Sequence, residues 1–325
     1  MKIAVTGGLG FIGSNFIKYV LNTYPEDTIV NIDKETYASN GEYLRGFNED
    51  SRYSFHHGDI ASVGDIEKAL NDADAIVNFA AESHVDNSIN DSSSFVSSNY
   101  IGTVNLLNIA KERGMRFNQV STDEVFGSLH EGRTSRFTET TCYNPRNPYS
   151  ATKAAADHMA LAYYNTYSLP VTVTHSSNNY GPHQHREKLI PKAILSLLEN
   201  RKIPIYGDGH QVRDWIFVED NCRAIDAVLR KGDYGQRYII GGNSEKSNIE
   251  VVGRIIELMG KDPNSIEHVR DRPGHDLRYS SDYSRMQREL GWEPRIRFDA
   301  GIRLTVKHYT ENVKMYCRIS QFQQS

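Results

Sequence analysis

The stretch KIAVTGGLGFIG, from Lys2 to Gly13, decides the fold because it joins a short apolar run to a glycine turn. Its first residues are rich in β-branched side chains, which buried strands favour. Gly7, Gly10 and Gly13 then lead into an amphipathic stretch from Ser14 to Tyr24. Strand, glycine turn and helix start form the dinucleotide-binding fingerprint, in which a pyrophosphate lies on the helix N-terminus. The sequence therefore predicts a Rossmann-type α/β fold.

An acidic residue follows at the distance that this fingerprint requires. A second strand, Thr28 to Ile32, ends in Asp33, twenty residues after Gly13. An acid there accepts hydrogen bonds from the adenosine ribose hydroxyls and repels the 2′-phosphate of NADP. NAD is therefore the predicted cofactor, although the neighbouring Lys34 works against this preference. The alternative is a glycine turn and a strand-ending acid without a ligand, which the combination of signals disfavours.

Strand and helix patterns alternate through the first half of the chain. The strand-like runs are Tyr53–His57, Ala75–Phe79, the run from Phe117 onward and Val171–His175. The one long helical pattern is Phe95–Arg113. Such alternation predicts a doubly wound parallel sheet. We expect residues 1–175 to form an NAD-binding Rossmann domain, to which residues near 215–240 return. Residues 176–325 are richer in loops, and we expect them to form mainly a smaller mixed α/β domain that binds the substrate.

The run QVSTDEVFG, residues 119–127, is the predicted centre of the chemistry. It begins like a buried strand and then places Thr122, Asp123 and Glu124 in succession. Adjacent side chains of a strand point to opposite faces, so both acids reach one site only if the strand ends there. Ligands of open parallel sheets bind at the carboxyl ends of strands. The alternative is a Thr N-cap followed by acids in the first turn of a helix.

The segment Tyr149-Ser-Ala-Thr-Lys153 is the second chemical landmark. Residues four apart share one face of a helix. An ammonium one turn from a phenol favours the phenolate, so Lys153 is expected to lower the pKa of Tyr149 towards that of a general base. A surface Tyr-Lys pair is the alternative. The preceding glycine loop, ribose acid and strand-ending Thr122 favour the catalytic interpretation.

Several other residues keep two interpretations each. Asp59 could cap a helix or meet the adenine amine, and His84 could be a loop residue or touch the substrate. Tyr206 could pack against a nucleobase or be a half-buried strand residue. Three separated cations could converge on a diphosphate or be ordinary surface charges: Lys188, Arg213 and Arg272.

Composition and charge limit the possible partners. The chain has 325 residues, of which 24% are charged, and its formal net charge is -4. Scattered Lys and Arg residues provide no basic stripe for nucleic acid. Cys142, Cys222 and Cys317 are too far apart and too few for a disulfide framework or a zinc site. No apolar run approaches the roughly 20 residues of a membrane helix. We therefore expect no nucleic acid, membrane or metal partner, and a cytoplasmic setting.

Seven segments carry a resemblance to a known family. They are TGGLGFIGSNF, AAESHVDNSI, STDEVFG, PYSATKAAAD, SNNYGPHQHREKLIP, YGDGHQVRDW and DRPGHD. With them the chain resembles the extended short-chain dehydrogenase/reductase superfamily over nearly its whole length, and within it the dTDP-glucose 4,6-dehydratase family. The pair Asp123-Glu124 discriminates, since related epimerases usually carry other residues there.

The resemblance implies two sets of contacts. The residues implied to contact NAD are Gly7, Gly10, Phe11, Ile12, Gly13, Asp33, Lys34, Thr36, Asp59, Ile60, Phe79, Ala80, Ala81, Ser83, Ser98, Tyr149, Lys153 and Asn179. Those implied to contact the nucleoside-diphosphate hexose are Ser83, His84, Thr122, Asn178, Lys188, Leu189, Pro204, Tyr206, Arg213, Asn248, Arg272 and His275.

The resemblance also implies the reaction. Tyr149, aided by Thr122 and Lys153, takes the proton of the sugar 4-hydroxyl while the C4 hydride passes to NAD. Glu124 then removes the C5 proton, and Asp123 protonates the departing 6-hydroxyl. Return of the hydride to C6 gives dTDP-4-keto-6-deoxyglucose, which feeds the biosynthesis of deoxysugars such as rhamnose.

Alternative functions are an NAD-dependent sugar-nucleotide 4-epimerase, a UDP-sugar 4,6-dehydratase and a non-catalytic NAD-binding regulator. The resemblance further implies a homodimer that forms through the helices Phe95–Arg113 and Tyr149–Tyr167. Arg186 stands where the family usually has Pro, within a segment expected to hold the nucleotide. Because of this departure, dTDP, UDP and another nucleotide all stay open as the carrier of the sugar.

Overall fold

The computed structural model describes residues 1–130, 134–271 and 274–316. The strands in these ranges are β1 (Lys2–Thr6), β2 (Thr28–Asp33), β3 (Tyr53–His57), β4 (Ala75–Asn78), β5 (Arg116–Thr122), β6 (Val171–Ser176), β7 (Asn178–Tyr180), β8 (Ile203–Tyr206), β9 (Val212–Phe217), β10 (Gln236–Ile240), β11 (Glu245–Ser247) and β12 (Ile266–Val269). The α-helices are α1 (Phe11–Thr23), α2 (Val63–Ile66), α3 (Val85–Asn90), α4 (Ser93–Phe95), α5 (Gly102–Arg113), α6 (Pro148–Tyr167), α7 (Leu189–Leu198), α8 (Val218–Lys231), α9 (Asn248–Leu258), α10 (Ser284–Leu290) and α11 (Phe298–Glu311). No helix in the described ranges has both the length and the apolar character needed to cross a membrane.

The main sheet has seven strands in the order β10-β6-β5-β4-β1-β2-β3. Every neighbouring pair in it is parallel. The strand order reverses between β1 and β4, and ligands of doubly wound sheets bind at such a switch point, outside the carboxyl ends of the strands. The predicted doubly wound parallel sheet is confirmed.

Two apolar layers cover the main sheet because alternate side chains of its strands face opposite sides. Ile3 and Val5 belong to a buried cluster that includes residues of α1 and α8. Ala4 and Phe117 belong to a second cluster, which includes residues of α5 and α6. Burial on both faces explains why these strands read as continuous apolar runs in the sequence.

The predicted helix Phe95–Arg113 is interrupted by a π-helical segment. Val96–Ile101 forms wider turns between α4 and α5. Asn99 lies in this segment, accepts a hydrogen bond from the backbone N–H of Glu82 at 2.8 Å, and donates to Thr152 Oγ1 at 3.0 Å. Short π segments are frequent at functional sites. Here the segment carries a side chain that fixes the loop after β4 to α6.

A second, smaller region lies beside the carboxyl edge of the main sheet. It contains a three-stranded sheet, in the order β11-β9-β7, and the parallel pair β8 and β12. A buried cluster that includes Ile194, Trp215, Ile255 and Ile302 packs α7, α9 and α11 against these strands. Here β8 places Pro204 and Tyr206, and the start of α7 places Leu189, near the ends of the main strands.

The chain crosses back to the main sheet after β9. Residues 215–217 belong to β9 of the smaller sheet, whereas β10 pairs with β6 in the main one. Val228 of α8 shares a buried cluster with Phe16 of α1, and Met286 and Trp292 complete the same cluster. One layer of the main sheet is therefore built partly from late segments of the chain.

Candidate active site

The glycine loop leaves room for a ligand against the end of β1. Gly7 has φ 69°, and a Cβ at this position would lie 2.7 Å from the backbone nitrogen of Ala80. A Cβ at Gly13 would lie 2.4 Å from the Gly7 carbonyl oxygen. Gly10 precedes α1, and no side chain caps that helix N-terminus. The loop therefore combines close backbone approach with uncapped N–H groups, as a pyrophosphate requires.

This loop opens onto a cavity of about 310 Å³. Every residue assigned above to NAD lines this cavity. The sequence analysis missed other residues of its wall, among them Ser39, Glu82, Ser121, Ser177, Gln184 and Glu187. Gln184 and Glu187 lie in a segment that carried the family resemblance, whereas no motif marks Ser39. The dimensions and the uncapped helix start fit a dinucleotide.

Asp33 is fixed in this cavity by backbone and side-chain donors. Its Oδ2 accepts a hydrogen bond from the Leu9 N–H at 2.9 Å, and its Oδ1 accepts one from Ser39 Oγ at 2.7 Å. Lys34 turns elsewhere: its Nζ lies 2.9 Å from Ser98 Oγ and 3.5 Å from an Asp59 carboxylate oxygen. Because the Lys34 charge is engaged by an acid, it does not offset the repulsion that Asp33 offers to a 2′-phosphate.

The strand that carries Thr122 ends where the chemistry was predicted. β5 finishes at Thr122, and a single turn of 3-10 helix follows from Asp123 to Phe126. Thr122 Oγ1 accepts a hydrogen bond from the Glu124 N–H at 3.3 Å. Asp123 and Glu124 both line the cofactor cavity. Both interpretations of this stretch therefore hold, because the cap itself turns the two acids towards one site.

The two neighbouring acids differ in their surroundings. Asp123 is 1% exposed. Burial raises its pKa well above the usual range, and the charges of Glu124 and Asp214 add to this effect, whereas the charge of Arg213 opposes it. Glu124 lies at the border of the cofactor cavity and a second cavity. Of the two acids, Asp123 is therefore the one whose surroundings favour the protonated form.

Tyr149 and Lys153 lie at the start of α6. Asn147 caps this helix, its Oδ1 accepting a hydrogen bond from the Ser150 N–H at 2.8 Å. Both Tyr149 and Lys153 are buried and line the cofactor cavity. Lys153 Nζ donates to the Val120 carbonyl oxygen at 2.6 Å. The predicted helical pair is thus present beside Thr122.

The electrostatics of this pair differ from the sequence-based expectation. Burial raises the pKa of Tyr149, and the negative charges of Glu124 and Asp123 raise it further. Burial also lowers the pKa of Lys153 to about 8. Lys153 alone therefore does not produce a low phenol pKa here, because burial and, to a lesser extent, three nearby acids act in the opposite direction. A positive ligand charge beside Tyr149 would favour the phenolate.

A second cavity of about 330 Å³ adjoins the first. The residues assigned to the sugar nucleotide that line it are His84, Asn178, Lys188, Leu189, Pro204, Tyr206, Arg213, Asn248 and His275. Ser83 and Thr122 line the cofactor cavity instead. Arg272 lies outside the described residues. Glu124, Asn178 and Lys188 line both cavities, whereas Asp123 lines the cofactor cavity, so Glu124 is the acid that stands where the two meet.

The predicted cations are held by protein groups as well as facing the second cavity. Lys188 Nζ donates to the Ser83 carbonyl oxygen at 3.1 Å. The Arg213 guanidinium donates to the Asp276 carbonyl oxygen at 2.9 Å and lies 4.2 Å from the centre of the Tyr279 ring. Such supports fix the positions of the cations before an anion arrives.

Other residues with two open interpretations line the cavities. Asp59 accepts a hydrogen bond from the Ala61 N–H at 2.9 Å and lines the cofactor cavity, but the N-cap of the following helix α2 is Ser62, so the capping interpretation of Asp59 is wrong. His84 accepts one from the Asn87 N–H and lines the second cavity. Tyr206 ends β8, and its ring also lines that cavity. Of these three residues, His84 combines a helix cap with a place on a cavity wall.

Arg186 points away from both cavities. Its NH1 group donates to the Tyr316 carbonyl oxygen at 3.4 Å, and its NH2 group lies 4.0 Å from a Glu199 carboxylate oxygen. The residue lines neither cavity. The departure from the usual family residue therefore affects the outer packing of the loop and leaves the nucleotide wall unchanged.

Comparisons with known proteins agree with this site. A family model described as GDP-mannose 4,6 dehydratase matches residues 4–305. The dTDP-glucose 4,6-dehydratase of Haemophilus influenzae is 47% identical, over 96% of this chain and 98% of that protein. The Bacillus anthracis dTDP-glucose 4,6-dehydratase, solved in complex with NAD, is 47% identical, with a TM-score of 0.92, over 98% of this chain and 99% of that one.

An epimerase shares the fold at lower similarity. The Thermus thermophilus UDP-glucose 4-epimerase, solved with NAD, is 26% identical with a TM-score of 0.88, over 96% of this chain and 100% of that one. The higher identity to the dehydratases agrees with the acid pair after Thr122. The chain belongs to the GDP-mannose 4,6 dehydratase family and, within it, to the dTDP-glucose 4,6-dehydratases.

Proposed function

We propose that this protein converts dTDP-glucose to dTDP-4-keto-6-deoxyglucose and so feeds deoxysugar biosynthesis. One observation carries the proposal: Asp123, a buried acid whose pKa is raised, stands next to Glu124, which lines both a dinucleotide cavity and a second cavity. Elimination of water needs an acid and a base at adjacent carbon atoms, and these two side chains offer one of each.

NAD fits the first cavity. The glycine loop and α1 would hold its pyrophosphate, and Asp33 would hold its adenosine ribose. Bound NAD would supply a hydride acceptor for the oxidation at C4 and a hydride donor for the reduction at C6, and its oxidised ring would supply a positive charge. No net redox change results, so the cofactor has no need to leave between turnovers.

The oxidation step belongs to Tyr149, Thr122 and Lys153. Tyr149 is the base that takes the proton of the sugar 4-hydroxyl, and Thr122 supports the phenolic oxygen by a hydrogen bond. Lys153 supplies a positive charge from the same face of α6. Because Tyr149 is buried among acids, its deprotonation depends on the cations around it.

The elimination step belongs to Asp123 and Glu124. The 4-ketone makes the hydrogen on C5 acidic, and Glu124 removes it as a proton. Asp123 donates its own proton to the 6-hydroxyl, which leaves as water. Glu124 then returns its proton to C5 as the hydride reaches C6. The raised pKa of Asp123 supports the acid role for this residue and the base role for Glu124.

Two rival functions make different demands on the site. A 4-epimerase uses the Tyr-Lys pair and the glycine loop but has no use for a protonated Asp123. A non-catalytic NAD sensor needs neither acid. The burial of Asp123 beside Glu124, with its raised pKa, therefore supports the dehydratase over both rivals.

A homodimer is part of the proposal. The helical stretch before Arg113 and α6 expose large apolar side chains, namely Val96, Ile101 and Tyr167. Two copies of this surface would bury them together. A cytoplasmic setting and the division into an NAD domain and a sugar-nucleotide domain are likewise proposed. Sedimentation of the wild-type protein and of Ile101→Glu tests the dimer, since only the charged variant should be monomeric.

The main test is incubation of the protein with dTDP-glucose, UDP-glucose and GDP-mannose in parallel. We expect a product lighter by one water from dTDP-glucose, detected by mass spectrometry. The same mass as the substrate, with inversion at C4, would establish an epimerase instead. No change in any of the three sugars would overturn the proposal.

A further inference from the structure

A buried carboxylate stands behind Tyr149 and Lys153, and the proposed reaction does not use it. Asp157 lies on α6 four residues after Lys153, so that the two side chains share one face of the helix. The side chain of Asp157 has 0% exposure. A buried carboxylate is costly unless hydrogen bonds or a cation compensate it, so its surroundings should show what balances it.

Two neighbouring strands supply hydrogen-bond partners for Asp157 Oδ2. Ser121 Oγ of β5 donates to it at 2.6 Å, and His175 Nε2 of β6 lies at 3.1 Å. The Tyr143 hydroxyl also lies 3.1 Å from His175 Nε2. His175 Nδ1 has no partner within the described ranges. A neutral ring with its proton on Nε2 therefore fits best, because a charged ring would leave a buried N–H unpaired. The group keeps one net negative charge.

Lys153 is the cation that faces this charge. Its Nζ donates to the carbonyl oxygen of Val120, the residue before Ser121 on β5. Burial lowers the pKa of Lys153 to about 8, and the charge of Asp157 opposes that effect. Two successive residues of β5, Val120 and Ser121, are thus hydrogen-bonded to side chains on two successive turns of α6. Val120 bonds to the ammonium of Lys153, and Ser121 bonds to the carboxylate of Asp157.

The other titratable groups near Lys153 have different roles. Tyr149 lies one turn earlier on α6, and Asp123 and Glu124 follow β5 in the same cavity. Burial raises the pKa of Asp123, which disfavours its charged form. Asp157 also raises the pKa of Tyr149, although less than burial and Glu124 do. The net effect of the Asp157 charge therefore depends on how far it raises the pKa of Lys153 and how far it raises the pKa of Tyr149.

We propose that Asp157 is a positioning residue of the dehydratase: its charge keeps Lys153 an ammonium, and its bond to Ser121 fixes α6 against β5. The inference rests on the function proposed above. It adds Asp157 to Tyr149 and Lys153 as a third residue of the oxidation step. Asp157 touches neither ligand and acts through Lys153.

The test is the pH dependence of the first half-reaction. Wild-type holoenzyme and Asp157→Asn are mixed with dTDP-glucose in a single turnover, and NADH absorbance is followed at each pH. We expect the alkaline fall of the rate to move to lower pH by about one pH unit or more in the variant. Asp157→Glu retains the charge and should restore the wild-type position. Asp226 is a buried, ion-paired carboxylate on α8, and Asp226→Asn is the control. This control should leave the alkaline fall of the rate at the wild-type pH.

A purely structural role gives a different result. If Asp157→Asn lowers the melting temperature but keeps the wild-type pH profile, the proposal is overturned. Asp157→Ser, which leaves space for a water, serves as a second neutral variant if Asn prevents folding. The Lys153 pKa, measured by NMR on the NAD-bound protein without sugar, does not depend on turnover. It should be lower in the neutral variants, and equal values would exclude the assigned role even if dTDP-glucose were not the substrate.

Discussion

Replacing Asp123 by Asn removes one transferable proton and leaves the shape of the side chain almost unchanged. Burial and the charges of Glu124 and Asp214 raise the pKa of Asp123 well above its usual range. The surroundings therefore favour the neutral form of the side chain, and the amide replaces this form by another neutral polar group. We expect the free energy of unfolding at neutral pH to change by no more than about 1 kcal/mol.

The expected effect on turnover is much larger. An amide cannot protonate the departing 6-hydroxyl, and loss of a general acid typically costs about 10²–10⁴ in rate. This range corresponds to roughly 3–5 kcal/mol of activation free energy. Oxidation at C4 uses Tyr149 and Lys153, so NADH should still form when dTDP-glucose is added, and it should persist.

The assay combines NADH absorbance with mass spectrometry in D₂O. Because Glu124 is intact in Asp123→Asn, deuterium should still enter C5 of the bound sugar. Glu124→Gln is the matched variant, and it should form NADH without exchange at C5. Product formation by Asp123→Asn at the wild-type rate would refute the acid role. Exchange in Glu124→Gln but not in Asp123→Asn would show that the two roles are reversed.

The same substitution should change how stability depends on pH. The folded-state pKa of Asp123 lies above the ordinary value of 3.8. Between these two values the folded protein binds more protons than the unfolded chain, so the wild type loses stability as pH rises through this window. Asn has no such loss. Melting temperatures of both proteins measured upward from pH 4 should therefore diverge, with the variant gaining relative to the wild type, and parallel curves would contradict the raised pKa.

Three further outcomes follow from the cavity walls. Gly7→Ala should lose NAD during purification, because a left-handed φ of 69° costs Ala about 1–2 kcal/mol and its Cβ would lie 2.7 Å from the Ala80 nitrogen; retention of NAD measured by absorbance would contradict this. Asp33→Asn should weaken NAD binding by about 1.5–3 kcal/mol and reduce the discrimination against NADP, as judged by calorimetry with both cofactors. Lys192→Leu should weaken dTDP binding by up to about 1 kcal/mol and reduce its salt dependence, because this lysine lines the second cavity, whereas the exposed Lys202→Leu serves as the unaffected control.

Much of the fold could be predicted because its signals are local. The glycine spacing, the β-branched runs and Asp33 each report on a few neighbouring residues, and they correctly gave a parallel sheet with a dinucleotide loop. The end of β5 was also predicted, since small and acidic residues follow an apolar run there. The π-helical segment after Phe95 was missed because its cause, the contact of Asn99 with Glu82 and Thr152, joins three separate parts of the chain.

The site was harder to predict where charges interact over distance. The sequence places Lys34 beside Asp33, yet only the fold brings Asp59 to Lys34 and so removes its influence on cofactor choice. The effect of Lys153 on Tyr149 was predicted from their spacing alone. Burial and the acids that surround Tyr149 reverse the direction of its pKa, and neither can be read from a four-residue interval.

The late return of the chain to the main sheet has a consequence for how the protein is made. Val228 and Trp292 pack in the same buried layer as Ile3 and Phe16, beneath the glycine loop. Domains generally form as units while the ribosome delivers about 5–20 residues each second. One apolar face of the sheet in the first half of this chain therefore stays exposed for many seconds, until the ribosome has made the late residues that cover it. A nascent chain halted before β10 should bind chaperones and retain no NAD, although every residue of the glycine loop is already present.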